Sequence, residues 1–203
     1  MKQIVQFIED NNISEEEVAK AAHMSLRNFR RQIHSEDRTQ TRIVLILADY
    51  NHQSIDSIFF DQMYNQPINL EGLTWNQVQD IMKLIHPELF TDIKRSSKFK
   101  NFEYNLKNDM GDRMRFIREV VFSLSQTQFG KYMEVTRNTA KYWDEGQINA
   151  DKILKISQRT NISMDFMIRD NYPLTLQTQD MSEALYLAVM TNCVLYRLRN
   201  MKQ

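Results

Sequence analysis

The side chains best equipped for chemistry stand close together at Thr136, Arg137, Asn138, Thr139, Lys141 and Tyr142, in a run that no acid interrupts as far as Trp143. An arginine can fork onto the two acceptors of guanine, an asparagine can pair with adenine, and a lysine suits a phosphate oxygen. A second basic set, Arg27, Arg30 and Arg31, accompanies Leu26 and Asn28 near the N-terminus. A third runs Lys94-Arg95-Ser96-Ser97-Lys98-Phe99-Lys100 and is followed by Phe102 and Tyr104. Basic residues interleaved with aromatics suit a nucleic-acid arm. They equally suit a linker whose lysines keep it in solution and whose aromatics dock on a neighbouring helix, and this second reading is preferred.

Other chemistry finds little support. His23, His34, His52 and His86 are scattered, with no HxxxH or CxxC spacing for a metal. Cys193 lacks a local nucleophile signature, and Gly72, Gly111, Gly130 and Gly146 stand too far apart for a phosphate-cradling loop. Neither an enzyme nor a cofactor or metal is expected. The single cysteine excludes an internal disulfide and fits a reducing compartment, so a cytoplasmic location is expected. The opening MKQIVQFIEDNN turns acidic too soon for a signal peptide, and no apolar run approaches the roughly 20 residues of a membrane span.

The elements that must carry these residues are helical. The chain has 203 residues, 42% of them hydrophobic, and only 4 Gly and 3 Pro, too few for the turns of a sandwich or barrel. Charge balances at 26 basic against 26 acidic residues, so any binding of nucleic acid must come from local patches.

An internal repeat organises the helices. FIEDNNISEEEVAKAAHMSLRNFRRQI is matched by FIREVVFSLSQTQFGKYMEVTRNTAKYWDEG, with Ser14 falling on Ser125, Ala19 on Gly130, Met24 on Val135 and Ser25 on Thr136. Downstream, Ile43 falls on Ile153 and Ser54-Ile55-Asp56 on Ser163-Met164-Asp165. Such self-similarity means one supersecondary unit used twice. Each copy reads as five short helices. In copy two these cover about 111–122, 126–133, 136–145, 150–160 and 163–168, with Ser125, Thr136 and Ser163 as caps and Gly146 as a stop. Ser14, Ser25 and Ser54 take the capping roles in copy one. Small Ala19 and Gly130 suit a close crossing of helices two and three, and apolar Val18, Ala22, Met24, Phe29, Phe129, Met133, Val135, Ala140 and Trp143 face inward. Capping then leaves the first turn of helix three protruding.

On these residues copy two resembles the Xre-type regulators, the Cro/cI-like helix-turn-helix family of phage and bacterial repressors. The resemblance runs over 113–168, chiefly in SQTQFGKYMEVTRNTAKYWDEG and ILKISQRTNISMDFM. Copy one, about 4–60, resembles the family more distantly. The likeness implies an all-α fold of two five-helix lambda-repressor-like units. It implies a phosphate contact at Gln126, and base and phosphate contacts at Thr136, Arg137, Asn138, Thr139, Lys141 and Tyr142. In copy one the corresponding residues are Ser25, Arg27, Asn28, Arg30 and Arg31. Two residues depart from the pattern in copy two. Glu134 stands where the turn usually has glycine, and Glu145 where a neutral or basic residue is usual. In copy one Glu15, within Glu15-Glu16-Glu17, occupies the position of Gln126. Acids there suit the helix dipole and oppose a phosphate, so copy one either contacts DNA or serves as a divergent copy that packs or binds protein.

The resulting organisation is a divergent helix-turn-helix domain over 1–62, a helical and basic linker over 63–109, a Cro/cI-like domain over 110–172 and an apolar helix within 173–203. In the linker Thr74 caps a helix over 75–85 with Val78, Ile81, Met82 and Ile85 as its stripe. The tail helix is apolar over more than one narrow face, so Leu185, Val189, Val194 and Leu198 are expected in a homodimer contact, with Cys193 as a small core residue. A dimer, or the two copies in tandem, would lengthen the site read on double-stranded DNA. The expected function is a sequence-specific DNA-binding regulator, a repressor of a phage, mobile-element or similar bacterial circuit. The alternative is a protein-binding module on a repressor-like fold, such as an antirepressor, an inhibitor of a bacterial defence enzyme, or a repressor under control of a protein partner.

Overall fold

Most helices begin where a short polar side chain can bind the backbone amides that a helix start leaves orphaned. Ser14 accepts from Glu17 N, Ser25 from Asn28 N, Thr74 from Gln77 N, Ser125 from Gln128 N and Thr136 from Thr139 N. The computed structural model describes residues 2–35, 39–60, 67–90 and 103–202. Among these the chain is mostly helical, with twelve α-helices and one two-stranded sheet. The basic cluster from Lys94 to Phe102 lies outside the described residues, whereas Tyr104 lies within them.

The first copy comprises α1 (Lys2–Asp10), α2 (Glu15–Ala21), α3 (Leu26–Ile33), α4 (Thr41–Tyr50) and α5 (Asp56–Phe59). Ile4, Phe7 and Ile8, spaced by three and four, enter a core with Val18, Phe29, Ile33, Ile43, Val44 and Leu47. After α6 (Trp75–Ile85), the second copy comprises α7 (Met110–Phe116), α8 (Gln126–Met133), α9 (Arg137–Asp144), α10 (Ala150–Thr160) and α11 (Met164–Ile168). The helix anticipated over 111–122 is interrupted. It passes from α7 into a π-helical turn at Ile117–Val121. α12 (Glu183–Asn200) follows.

The backbone repeats as the side chains do. Left-handed φ values at Asn12 (51°), His23 (52°) and His52 (52°) recur at the matching Ser123 (55°), Glu134 (58°) and Asn161 (57°). A left-handed residue other than glycine costs roughly 1–2 kcal/mol, so three coincident pairs are not random turns. Gly130 lets α8 meet the segment entering α9. A Cβ there would stand 2.9 Å from Val135 O and 3.2 Å from Thr136 O.

Two features go beyond the sequence reading. A short antiparallel sheet joins β1 (Ile68–Asn69) to β2 (Thr175–Leu176), with Ile68 opposite Leu176. In addition, α12 packs on α6. β1 and α6, from the region read in sequence as a linker, thus pack with β2 and α12, from the region read as a separate tail.

The two copies also meet directly. Met164 N donates to Asp56 Oδ1 at 2.8 Å, while Ile55 N and Asp56 N donate to Asp165 Oδ1 and Oδ2 at 3.0 and 3.2 Å. Asp56 and Asp165 are repeat counterparts, and so are Ile55 and Met164. Each aspartate therefore caps the other copy's last helix, the reciprocal pattern of a two-fold contact. Arg169 braces it, donating to Asp165 Oδ1 at 2.7 Å and reaching across to Asp49 Oδ1 and Gln53 O. A second contact lies before the fourth helices, where Ala150 N donates to Thr39 O at 3.0 Å and Thr39 N to Asp151 Oδ2 at 3.0 Å.

Asp56 is buried, and its Oδ2 has no hydrogen-bond partner among the described residues. Burial pushes its pKa up to about 7, and the neighbouring Asp165 carboxylate adds to the rise. A carboxyl whose folded pKa lies above its unfolded value of about 3.9 stabilises the fold fully at low pH. That contribution fades as pH rises towards about 7. Urea unfolding is expected to show a falling midpoint between about pH 4 and about pH 7, and Asp56→Asn should shrink that fall. An undiminished fall in the variant would exclude Asp56 as its source. Gly130→Ala should lower stability by up to about 2 kcal/mol, because a clash with backbone (~1–3 kcal/mol) is at least as large as the helix-propensity gain of ~1 kcal/mol. The urea midpoint at fixed m-value reports this directly.

Candidate nucleic-acid interface

The exposed face of α9 is set by what its inner face buries. Ala140 and Trp143 are buried, and the Trp143 ring meets Phe129 edge-on at 6.3 Å, so Trp143 is a core residue. This turns Arg137, Asn138, Lys141 and Tyr142 to solvent, with Tyr142 half exposed at 51%. Thr136 Oγ1 accepts from Thr139 N at 3.1 Å and lies 2.9 Å from Thr139 Oγ1, so both threonines belong to the cap. Arg137 and Asn138 make no side-chain hydrogen bond or ion pair with the described residues, which leaves the opening turn unspent. Lys141 lies 3.5 Å from Glu145, an exposed pair of the kind worth at most ~1 kcal/mol.

The base of α9 is held by charges the sequence reading left unassigned. Arg118, almost fully buried, donates to Asp144 through Nε at 3.1 Å and Nη2 at 2.7 Å. It also donates to Glu119 Oε1 and to Leu124 O, each at 2.8 Å. Burial works against the Arg118 charge, but the Asp144 and Glu119 carboxylates more than offset it and leave its pKa raised. Glu119 also accepts from Tyr104 Oη at 2.6 Å and from Arg115 Nε at 3.1 Å. Burial opposes ionisation of Glu119, yet these donors hold its pKa below the ordinary value. Gln126 joins the same group, with Nε2 donating to Asp144 Oδ2 at 2.9 Å. Its side chain is thereby aimed from the first turn of α8 towards the α9 end. Tyr104 also packs edge-on against Phe116 at 5.6 Å, which agrees with docking of this aromatic on a neighbouring helix.

α3 repeats the arrangement with more of its charge committed. Phe29, Gln32 and Ile33 are buried; Ser25, Arg27, Arg30 and Arg31 are exposed. Arg30 Nε pairs with Glu15 Oε2 at 2.6 Å, and Arg31 Nη2 donates to Asn28 Oδ1 at 2.7 Å. Glu17 accepts from Tyr50 Oη at 2.7 Å. Glu16 accepts from Ser14 Oγ at 3.4 Å, so all three acids that open α2 have side-chain partners. Arg27 has none among the described residues, and together with Ser25, Asn28 and Arg31 it lines a shallow surface depression.

The four tail residues expected at one partner surface do not share a face. Val189 is buried, as is Cys193 one turn on, because this side of α12 packs within the chain next to α6. Burial raises the Cys193 thiol pKa. Val189 is therefore not available to a second chain. Leu185 is half-buried, whereas Val194 and Leu198 are exposed at 48% and 51%, aligned with Leu187 and Leu195. Arg197 donates to Glu71 O and Asn200 to Gly72 O, pinning the end of α12 to the turn before α6.

Among the described residues no group of histidine, cysteine, aspartate and glutamate is placed to hold a metal ion, and no helix is long and apolar enough to cross a membrane. Comparisons with protein-family models, curated proteins and solved structures find no match for this chain.

The sequence picked out the exposed basic and amide residues, because spacing and capping are local. It missed Arg118, Arg113 and Asp165. Arg113 is buried while donating to Met167 O and Ile168 O, at the end of α11. For Arg118 and Arg113 the only available signal was a charged residue at an inward-facing helical position, whereas Asp165 was visible only as a repeat position.

Proposed function

We propose that this protein is a sequence-specific DNA-binding regulator with two helix-turn-helix units, α2–α3 and α8–α9. On this reading it acts in the cytoplasm as a repressor of a phage, mobile-element or similar bacterial circuit. One observation carries the reading: Arg137 and Asn138 stand on the exposed opening turn of α9 without partners among the described residues, while Trp143, Ala140 and the Arg118–Asp144 bridge fix the helix behind them. Fixed and unspent donors of these types are what a major-groove reader needs. Arg137 takes guanine edges, Asn138 adenine edges, Lys141 a phosphate, and Gln126 a phosphate from the start of α8. Repression follows from occupancy of the operator.

A second reading has one observation in its favour. The exposed stripe of Leu187, Val194, Leu195 and Leu198 gives α12 a surface for a protein partner or a second copy. On that view the repressor-like fold captures protein. Titration of random-sequence duplex over a range of salt separates the two, since neutralising phosphates makes affinity fall steeply with salt. A flat response would favour the protein-binding reading.

Arg137→Ala should cost roughly 1–3 kcal/mol of operator affinity and relax preference at one base position. Unchanged binding in a competition assay would remove α9 as the reading element. Glu15→Gln frees Arg30 from its 2.6 Å ion pair and removes an acid from the approach to α2. Tighter binding with a steeper salt slope is expected. An unchanged slope would place α2 away from the duplex.

A further inference from the structure

We infer that a single chain is built to read two unlike half-sites at once, because its two copies already form an internal two-fold pair. This rests on the DNA-binding reading above and adds the form of the site and the number of chains that occupy it.

The argument starts at the reciprocal caps. Asp56 binds Met164 N, and Asp165 binds Ile55 N, the same contact with the copies exchanged. A rotation about one axis produces such reciprocity; a head-to-tail arrangement does not. The second contact lies near the same axis by position, without being reciprocal. Ala150 N donates to Thr39 O, the repeat counterpart of Ala150 is Gln40 next to Thr39, and Gln40 N donates instead to Gln32 Oε1 at 3.3 Å. Thr39 Oγ1 in turn donates to Gln32 O in the last turn of α3, at 3.2 Å. On the other side, Ala150 begins α10, which a short loop separates from the end of α9. The C-terminal ends of α3 and α9 therefore converge on the axis, and the exposed residues of both stand in one fixed relation. Rotation about an axis leaves height along it unchanged, so the two helices lie at one level and face the same way along it. Dimeric regulators obtain this geometry from two chains and place it on half-sites one duplex turn apart, ~34 Å. Here covalent connection supplies it.

The two halves do not carry the same side chains. Leu26, Arg27, Asn28, Arg30 and Arg31 correspond in order to Arg137, Asn138, Thr139, Lys141 and Tyr142, and no position is identical. Helices with different donors select different bases, so the site is asymmetric and lacks the palindromy of a homodimer operator.

In vitro selection from a random duplex library with the full chain, followed by native mass spectrometry of the complex, tests this. The expected result is two dissimilar half-sites with centres about 10 base pairs apart and one chain per duplex. Arg27→Ala should erase preference in one half and Arg137→Ala in the other, each lowering affinity on the order of 5–150-fold. Leu198→Glu, on the exposed stripe of α12, should leave affinity and stoichiometry unchanged. A palindromic site, two chains per duplex, or an Arg27→Ala variant with unaltered preference would overturn the inference while leaving the DNA-binding reading in place. Failure to select any site would overturn both.

Discussion

The arrangement of this protein depends on two carboxylates that cap one another's helices across an internal axis. A buried helix start must find acceptors for its amides, and α5 and α11 are too short to be stable alone. Each finds its acceptor in the other copy, through Asp56 and Asp165. Neither copy completes the start of its last helix without the other. Arg169 strengthens the junction by joining Asp165 to Asp49 and the Gln53 carbonyl. The cost is a second buried carboxylate at Asp56, whose charge burial disfavours. Two hydrocarbon side chains would avoid that cost, but they could not cap amides or fix a register.

α9 is fixed by other contacts, within its own copy. Gly111 lets the start of α7 lie against the end of α9, where a Cβ would meet Asp144 O and Gly146 N at 2.7 Å. Arg118 then reaches from the π-helical turn to the same Asp144. The exposed face of α9 is thus supported at its C-terminal end by a backbone contact and a buried ion pair, and at its start by the Thr136 cap. A helix held at both ends keeps Arg137 and Asn138 in a narrow range of directions. On the proposed function, that rigidity makes base discrimination possible without ordering the protein on contact.

Local chemistry was legible in the sequence, and non-local chemistry was not. The starts of α2, α3, α6, α8 and α9 follow from single serines and threonines, since a cap is a contact over three residues. The stripe of α6 emerged for the same reason. β1 and β2 escaped because two-residue strands show no alternation, and their pairing joins residues about a hundred positions apart. Val189 was misplaced because α12 is apolar around much of its circumference, so pattern could not tell the side packed within the chain from the exposed one. Asp56 and Asp165 were visible as part of the repeat, but an aspartate in a first turn already has a reason to be there in its own helix dipole. Nothing local marks it as another helix's cap.

Two copies of unlike sequence in one chain allow one to commit its charges while the other leaves them open. Across a two-fold pair the buried residues of both halves are constrained together, because a change in one capping aspartate exposes the other's amides. Asp56 and Asp165 are accordingly the same residue in both copies, whereas the paired left-handed positions keep only their backbone conformation. The outward residues of α3 and α9 carry no such tie. Glu15 could engage Arg30 in copy one while Gln126 turned to Asp144 in copy two, without disturbing the shared axis. A homodimer lacks this freedom, because every substitution appears in both halves at once. Joining the halves in one chain separates the residues that hold the pair from those that face outward, and only the second set is free to differ.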